Sequence, residues 1–230
     1  LLDSVQAAAS RNESEVERLL GLVYEKHTHC LSNLFEEAEN QRLSTIIKSD
    51  LGDIKDILKT VALMKWQASR IKELVSGYGE LWSAQILSAL LKQRSSPDTH
   101  FVYIDARRII TVDEDAIQDG AVVWDVSQQK LQDVYAAELS KLGGDHLTKM
   151  HFVITGYVAS NTEGVATTLQ RDGSDYSASI MGRLLQSTMV CIWTDVDGVL
   201  SADPRRVPNA HAVSEVSYNE AMELAYFGAK

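Results

Sequence analysis

The chain has 230 residues, 45% hydrophobic and 23% charged, with a formal net charge of −10. That is a globular composition, long enough for one α/β domain with a substantial core or for two small domains. The acidic balance excludes an electrostatic footprint for nucleic acid or anionic lipid. Cys30 and Cys191 are the only cysteines, which argues against a disulfide scaffold. Cys191 lies in an apolar, strand-like run and is expected as a small core residue. No apolar run approaches the roughly 20 residues that cross a bilayer. The sequence starts "LLDSVQ" without Met or a signal-peptide pattern and stops at "YFGAK", so it is expected to be an internal piece of a longer protein.

Residues 1 to about 95 read as helical. Val16, Leu19, Leu20, Val23, His27, Cys30 and Leu31 recur at three- and four-residue spacings, as do Ile54, Ile57, Leu58, Val61, Leu63 and Met64. His27, His29 and Cys30 in "HTHC" do not converge on one helix face well enough to hold a metal, so a plain helix face is expected. "SGYGELWSAQILSALLKQRSS" reads as a glycine-broken loop entering another helix, and "SSPDT" as a loop. Strand-like runs follow at 100–115. Strand 151–155, helix 174–187 and strand 190–194 then compose a β-α-β unit, whose strands run parallel.

Ligands collect beyond the carboxyl ends of such strands. Two motifs fall there. In "TTLQRDGSDYSA", Gly173 suits a tight turn, Ser174 or Asp175 can cap the helix, and Arg171 offers a planar fork for carboxylate or phosphate. In "TDVDGVLSADPR", two carboxylates and a glycine turn precede Arg205 and Arg206, suiting either Mg²⁺ near a phosphate or simple loop capping. Ser217 and Glu220 form a capping-box pattern, the helix after them should stop at Gly228, and Lys230 follows. No G-x-x-x-x-G-K-S/T, G-x-G-x-x-G or G-x-S-x-G segment is present.

"TTLQRDGSDYSA", "IWTDVDGVLSADPRRVP", "SYNEAMELAYFGAK" and, upstream, "GYGELWSAQIL" together resemble the signatures of aspartate kinases in the amino-acid kinase family. The likeness is nearest to the kinase half of bifunctional aspartate kinase–homoserine dehydrogenases. It is dense over 150–230, good over 76–92 and weak over the first 70 residues. The resemblance implies a three-layer α/β/α sandwich with a mainly parallel sheet and a helical first third. It implies a partial catalytic domain over 1–230, with a helical substrate-side portion to about 95 and a nucleotide-binding portion over about 150–230. A first strand, regulatory ACT modules and any dehydrogenase domain lie outside it.

The implied reaction is ATP-dependent phosphorylation of the β-carboxylate of L-aspartate, the entry to lysine, threonine, methionine and isoleucine synthesis. By motif, Glu80 would hold the substrate amino group, Arg171 and Ser174 a substrate carboxylate, and Asp175 the catalytic cations. Thr194 and Asp195 would line the nucleotide pocket, with Arg205 and Lys230 on its phosphates. ATP and Mg²⁺ are implied, NADP only with a dehydrogenase domain, and the intact protein is expected to be a homo-oligomer in a plastid or cytoplasm, without nucleic-acid or membrane partners. Gln170 and Leu200 depart from the family's usual Gly and Tyr, and without the first strand this piece alone is expected to be inactive. Two other readings compete: a degenerate nucleotide-binding regulatory paralogue, and a haloacid-dehalogenase-type phosphatase built on "DVDGVL".

Overall fold

The apolar spacings of the first 94 residues become helices, among the described residues α1 (Leu2–Ala9), α2 (Glu13–Leu34), α3 (Glu37–Met64) and α4 (Ser69–Arg94). A computed structural model of the chain describes residues 1–64, 69–96, 98–113, 121–141, 150–169, 173–194 and 197–227. Two units are distinguished, Leu1–Thr188 and Met189–Lys230. In the first, α3 buries Leu43, Ile47, Leu51, Ile54, Leu58 and Val61, a stripe that repeats every three or four residues. Leu63 and Met64, expected in that stripe, are instead exposed. Leu63 falls off the period two residues after Val61, and Met64 is the last residue of the helix.

Asn12 caps α2 by accepting from the Glu15 N–H at 3.2 Å, which satisfies one of the four donors every helix start leaves open. His27 Nδ1 lies 2.7 Å from the Val23 carbonyl in the same helix. Among the described residues no group of three or more His, Cys, Asp or Glu could hold a metal.

α4 corrects one expectation. The segment read as a glycine-broken loop is continuous helix through Gly77 and Gly79. Each helical glycine costs about 1 kcal/mol relative to alanine, and packing on both sides of α4 outweighs it. Leu81 enters one hydrophobic core and Trp82 the other, while Tyr78 packs against both. The first core joins the sheets to the later helices through Ile104, Ile110, Val112, Leu131, Val158 and Ile180. The second is the interior of the α1–α4 bundle.

Among the described residues the strands are β1 (His100–Ile104), β2 (Thr111–Asp113), β3 (Ala121–Val122), β4 (Met150–Ile154), β5 (Val158–Asn161) and β6 (Ala166–Thr168). β1 pairs in parallel with β4, His100 opposite Met150 through Ile104 opposite Ile154. The second sheet runs β3-β2-β5-β6, with β2 and β5 parallel and the flanking pairs antiparallel. α5 (Trp124–Lys141) and α6 (Gly173–Leu184) complete this unit. Arg183 of α6 stacks on the Trp124 ring of α5, its guanidinium carbon 3.7 Å from the ring centroid. The α/β class and the helical first third are as the sequence implied, with one sheet parallel and the other mixed.

In the second unit, α7 (Tyr218–Tyr226) carries the expected capping box: Ser217 Oγ accepts from the Glu220 N–H, and Glu220 Oε2 accepts from the Ser217 N–H at 2.8 Å. The expected stop at Gly228 lies outside the described residues. The expected strand 190–194 is not formed at its described positions. The run has strand-like residues but no ladder partner among the described residues, and a strand needs one for its N–H and C=O groups. Trp193 is 95% exposed and Cys191 is also exposed, so Cys191 is not the core residue it was expected to be.

Candidate active site

In the first unit the carboxyl end of β4 is the best-organised polar turn. Thr155, 1% exposed, follows β4 directly. Its N–H donates to the Ile104 carbonyl, and its Oγ1 accepts from the Ala106 N–H at 2.8 Å, tying the ends of β4 and β1 together. Gly156 comes next. A Cβ there would stand 3.3 Å from both Cα and Cβ of Ser174, so the first turn of α6 sits directly against this glycine.

Tyr157 is held in the left-handed region at φ 69°, which a bulky residue occupies only when its surroundings fix it. Its N–H donates to Ser177 Oγ at 2.8 Å, and its carbonyl accepts from the Leu169 N–H at 2.7 Å. Ser177 Oγ in turn donates to the Gly173 carbonyl at 2.7 Å. A Cβ on Gly173 would meet the Tyr157 ring at 2.8 Å and Leu169 Cβ at 3.2 Å. Close packing, rather than a turn with positive φ, is therefore what requires glycine at 173.

α6 begins at Gly173. Ser174 and Asp175 occupy its first turn, exposed, instead of capping it as the sequence suggested. Helix N-termini favour negative charge through their free N–H groups and dipole. Arg171 and Gln170 lie outside the described residues. Glu80 lies on α4, which packs against the second sheet. Gly77 is packed so that a Cβ would come 3.0 Å from Val158 Cγ1, and Glu73 Oε2 accepts from Thr168 Oγ1 at 3.3 Å. Glu73, Gly77 and Glu80 are spaced i, i+4, i+7 and so share one helix face. That face lies over the start of β5 and the end of β6, and Glu80 on it is exposed.

Beside this turn, at the end of β1, Arg107 grips Asp105 through Nε and Nη2, the shortest contact 2.6 Å. Burial, then the Asp105 carboxylate, pushes the Tyr103 phenol up to about 12, against the Gln85 hydrogen bond and the Arg107 charge, which both lower it.

The second unit holds Thr194 and Arg205, both exposed. Its loop 201–211 is closed at the base by a bridge between Leu200 and Ala212 and by the Ser201 N–H donating to the His211 carbonyl at 2.9 Å. Asp203 organises the loop: its carboxylate accepts from the Arg205 N–H, Nε and Nη2, and its carbonyl accepts from the N–H groups of Arg206 and Val207. A cavity of about 670 Å³ is lined by Ser201, Asp203, Arg205, Arg206, Leu224 and Phe227, among others. Two guanidinium groups and an aromatic ring around one opening suit a phosphate bearing an apolar or planar group. Asp195 and Lys230 lie outside the described residues.

The sequence reading named Glu80, Ser174 and Asp175 but missed what holds them. Thr155, Tyr157, Ser177 and Gly77 are ordinary residues by type. Their roles come from contacts of long sequence separation, for which one chain carries no local signal.

In the first unit a strand ends against a helix N-terminus, and in the second two arginines line a cavity; each feature suits an anionic group. A model of the amino acid kinase family matches residues 38–230, and the chain belongs to that family. It is 35% identical over 225 residues to the chloroplastic bifunctional aspartokinase/homoserine dehydrogenase 2 of Zea mays, covering 98% of this chain and 23% of the relative. Against the chloroplastic bifunctional aspartokinase/homoserine dehydrogenase 1 of Arabidopsis thaliana the identity is 34%, over 100% of this chain and 24% of the relative. E. coli aspartokinase III, solved with aspartate and ADP, has the same fold at a TM-score of 0.77, with 24% identity over 99% of this chain and 47% of that one. The chain therefore spans about a quarter of the bifunctional relatives and about half of that structure. Family membership also removes the haloacid-dehalogenase reading.

Proposed function

We propose that the protein transfers the γ-phosphoryl group of ATP to the β-carboxylate of L-aspartate, giving 4-phospho-L-aspartate. The observation that carries this reading is the α6 start locked against Gly156, with Ser174 and Asp175 exposed in its first turn. It is supported by the relatives, which are named aspartokinases, and by the aspartate and ADP in the structure of the same fold.

The acceptor carboxylate is already a nucleophile, so the reaction needs alignment and charge neutralisation more than a strong base. Glu80 holds the amino group of the substrate. Ser174 and Arg171 hold its α-carboxylate, and the α6 N-terminus favours the negative charge. Thr194, Asp195, Arg205 and Lys230 hold the nucleotide. Asp175 offers one exposed carboxylate, which fits a Mg²⁺ ion bound mostly by phosphate oxygens. Such an ion neutralises charge on the transferring group.

The protein would serve the synthesis of lysine, threonine, methionine and isoleucine as the kinase half of a bifunctional enzyme with homoserine dehydrogenase. It would act as a homo-oligomer in the plastid, where the relatives' chloroplastic names put them. No described helix is long and apolar enough to cross a membrane. The test is aspartate-dependent ADP release by the full-length protein, compared with glutamate. A Glu80→Gln variant should raise KM for aspartate at least tenfold with KM for ATP unchanged, by loss of a charged contact to the substrate. Equal turnover with glutamate, or an unaltered KM in the variant, would contradict the reading.

A further inference from the structure

Trp82 is a fully buried side chain at 1% exposure, and its Nε1–H donates to Asp50 Oδ2 at 2.7 Å, 32 residues away on α3. A buried indole carries a single donor and needs a partner for it. His27 approaches the Trp82 ring edge-on at 5.0 Å and Tyr78 at 6.0 Å, so the ring is gripped from α2 and α4 as well. The charged groups that act on Asp50 are Asp53 on α3 and Arg107 after β1, and Arg107 is already engaged bidentately by Asp105.

This contact sets the rotation of α4. Trp82 faces the bundle core, Leu81 faces the sheet core, and Gly77 lies against Val158. Successive helix residues are about 100° apart, so Gly77 and Leu81, four residues apart, hold α4 on the sheet side while Trp82 holds it on the bundle side, and a helix held on two sides resists turning about its axis. Glu80, between these contacts in sequence, is exposed.

We infer that Asp50 is a positioning residue for Glu80: through Trp82 it fixes the rotation of α4 and so the direction in which the Glu80 carboxylate meets the substrate amino group. The inference rests on the substrate-binding role proposed for Glu80. It assigns work at the site to a residue on another helix, α3, whose carboxylate accepts from the Trp82 indole. A misplacement of about 1 Å at a positioning group costs up to two orders of magnitude, and a group that binds ground and transition states alike shows the loss in KM rather than kcat.

The experiment compares D50N, which keeps an acceptor oxygen for the indole, with D50L, which removes it, in the full-length protein. D50L should raise KM for L-aspartate on the order of tenfold while kcat and KM for ATP stay within about twofold, and D50N should stay near the parent. The double variant D50L/E80Q should be no worse than E80Q alone, because Asp50 acts through Glu80. If D50L does not fold, W82F, which deletes the donor together with the five-membered ring, replaces it with the same expectations. Additive effects of D50L and E80Q, or a parallel fall in kcat and rise in both KM values, would mean general loosening and overturn the inference. A parent enzyme that phosphorylates aspartate with D50L unaltered overturns this inference alone. A parent that phosphorylates no aspartate overturns the functional reading and this inference with it.

Discussion

The backbone N–H of Tyr157 donates to the hydroxyl of Ser177 at 2.8 Å, joining the turn after β4 to the second turn of α6. The same hydroxyl donates to the Gly173 carbonyl, so one oxygen fixes both the strained turn and the start of the helix. Ser177→Ala leaves the Tyr157 N–H without its partner. Loss of a buried partner costs about 1–3 kcal/mol. The variant should unfold at lower denaturant and show a raised KM for aspartate, since Ser174 and Asp175 ride on the same turn. Denaturant titration with steady-state kinetics checks both, and Ser177→Thr, which keeps the hydroxyl, should recover part of the loss.

Two glycines in α4 should respond with opposite signs. Gly79→Ala meets nothing within 4 Å, and exchanging a helical glycine for alanine gains about 0.5–1 kcal/mol. At Gly77 the new Cβ would lie 3.0 Å from Val158 Cγ1, on a buried side chain whose β-branch limits its rotation. Overpacking of that kind costs about 1–3 kcal/mol, so Gly77→Ala should be destabilising overall. Parallel thermal melts of the two variants decide it.

Tyr103 sets an alkaline limit. A tyrosine in the unfolded chain ionises near ~10, whereas in the fold this phenol is pushed up to about 12. Between those values the folded chain keeps a proton that the unfolded chain releases, so stability present below the lower value is lost as pH rises toward the upper one. Tyr103→Phe should flatten that part of the stability profile. Phenolate absorbance should show a late-titrating tyrosine among the eight of this 230-residue chain, absent from the variant.

Asp50 is expected to act in a different window. Burial first, and Asp53 next, raise its carboxyl above the ordinary carboxylate value despite the Trp82 hydrogen bond and Arg107. A raised carboxyl gives stability that is full below its unfolded value and falls as pH rises through the folded one. Asp50→Asn should therefore remove a mildly acidic downward slope in the stability profile, read by denaturant midpoints across that range.

Arg205 should matter for nucleotide and not for folding. Its pair with Asp203 is exposed on the arginine side, at 75%, where ion pairs contribute little to stability. Arg205→Ala should leave the melting temperature unchanged and raise KM for ATP while KM for aspartate stays put.

Much of this was legible in the sequence, and the limits are physical. The bundle stripe from Leu43 to Val61, the capping box at Ser217 and the strand at 150–154 all follow from local period and side-chain chemistry. The motifs also carried the family. Gly77 and Gly79 misled because local propensity reads glycine as a break, while contacts with Val158 and the two cores hold the helix. Residues 190–194 misled in the opposite way: strand propensity was present, and the ladder partner that makes a strand was not among the described residues. The Tyr157–Ser177 and Asp50–Trp82 contacts span 20 and 32 positions, beyond the reach of any periodic pattern.

Acyl-phosphate formation by the full-length protein, with Mg-ATP and hydroxylamine as trap, tests the central claim most directly. L-aspartate, L-glutamate and N-acetylglutamate are offered in parallel. Hydroxamate from L-aspartate alone is the predicted result. Hydroxamate from another acceptor, or none from any while ATP still binds, would contradict the account.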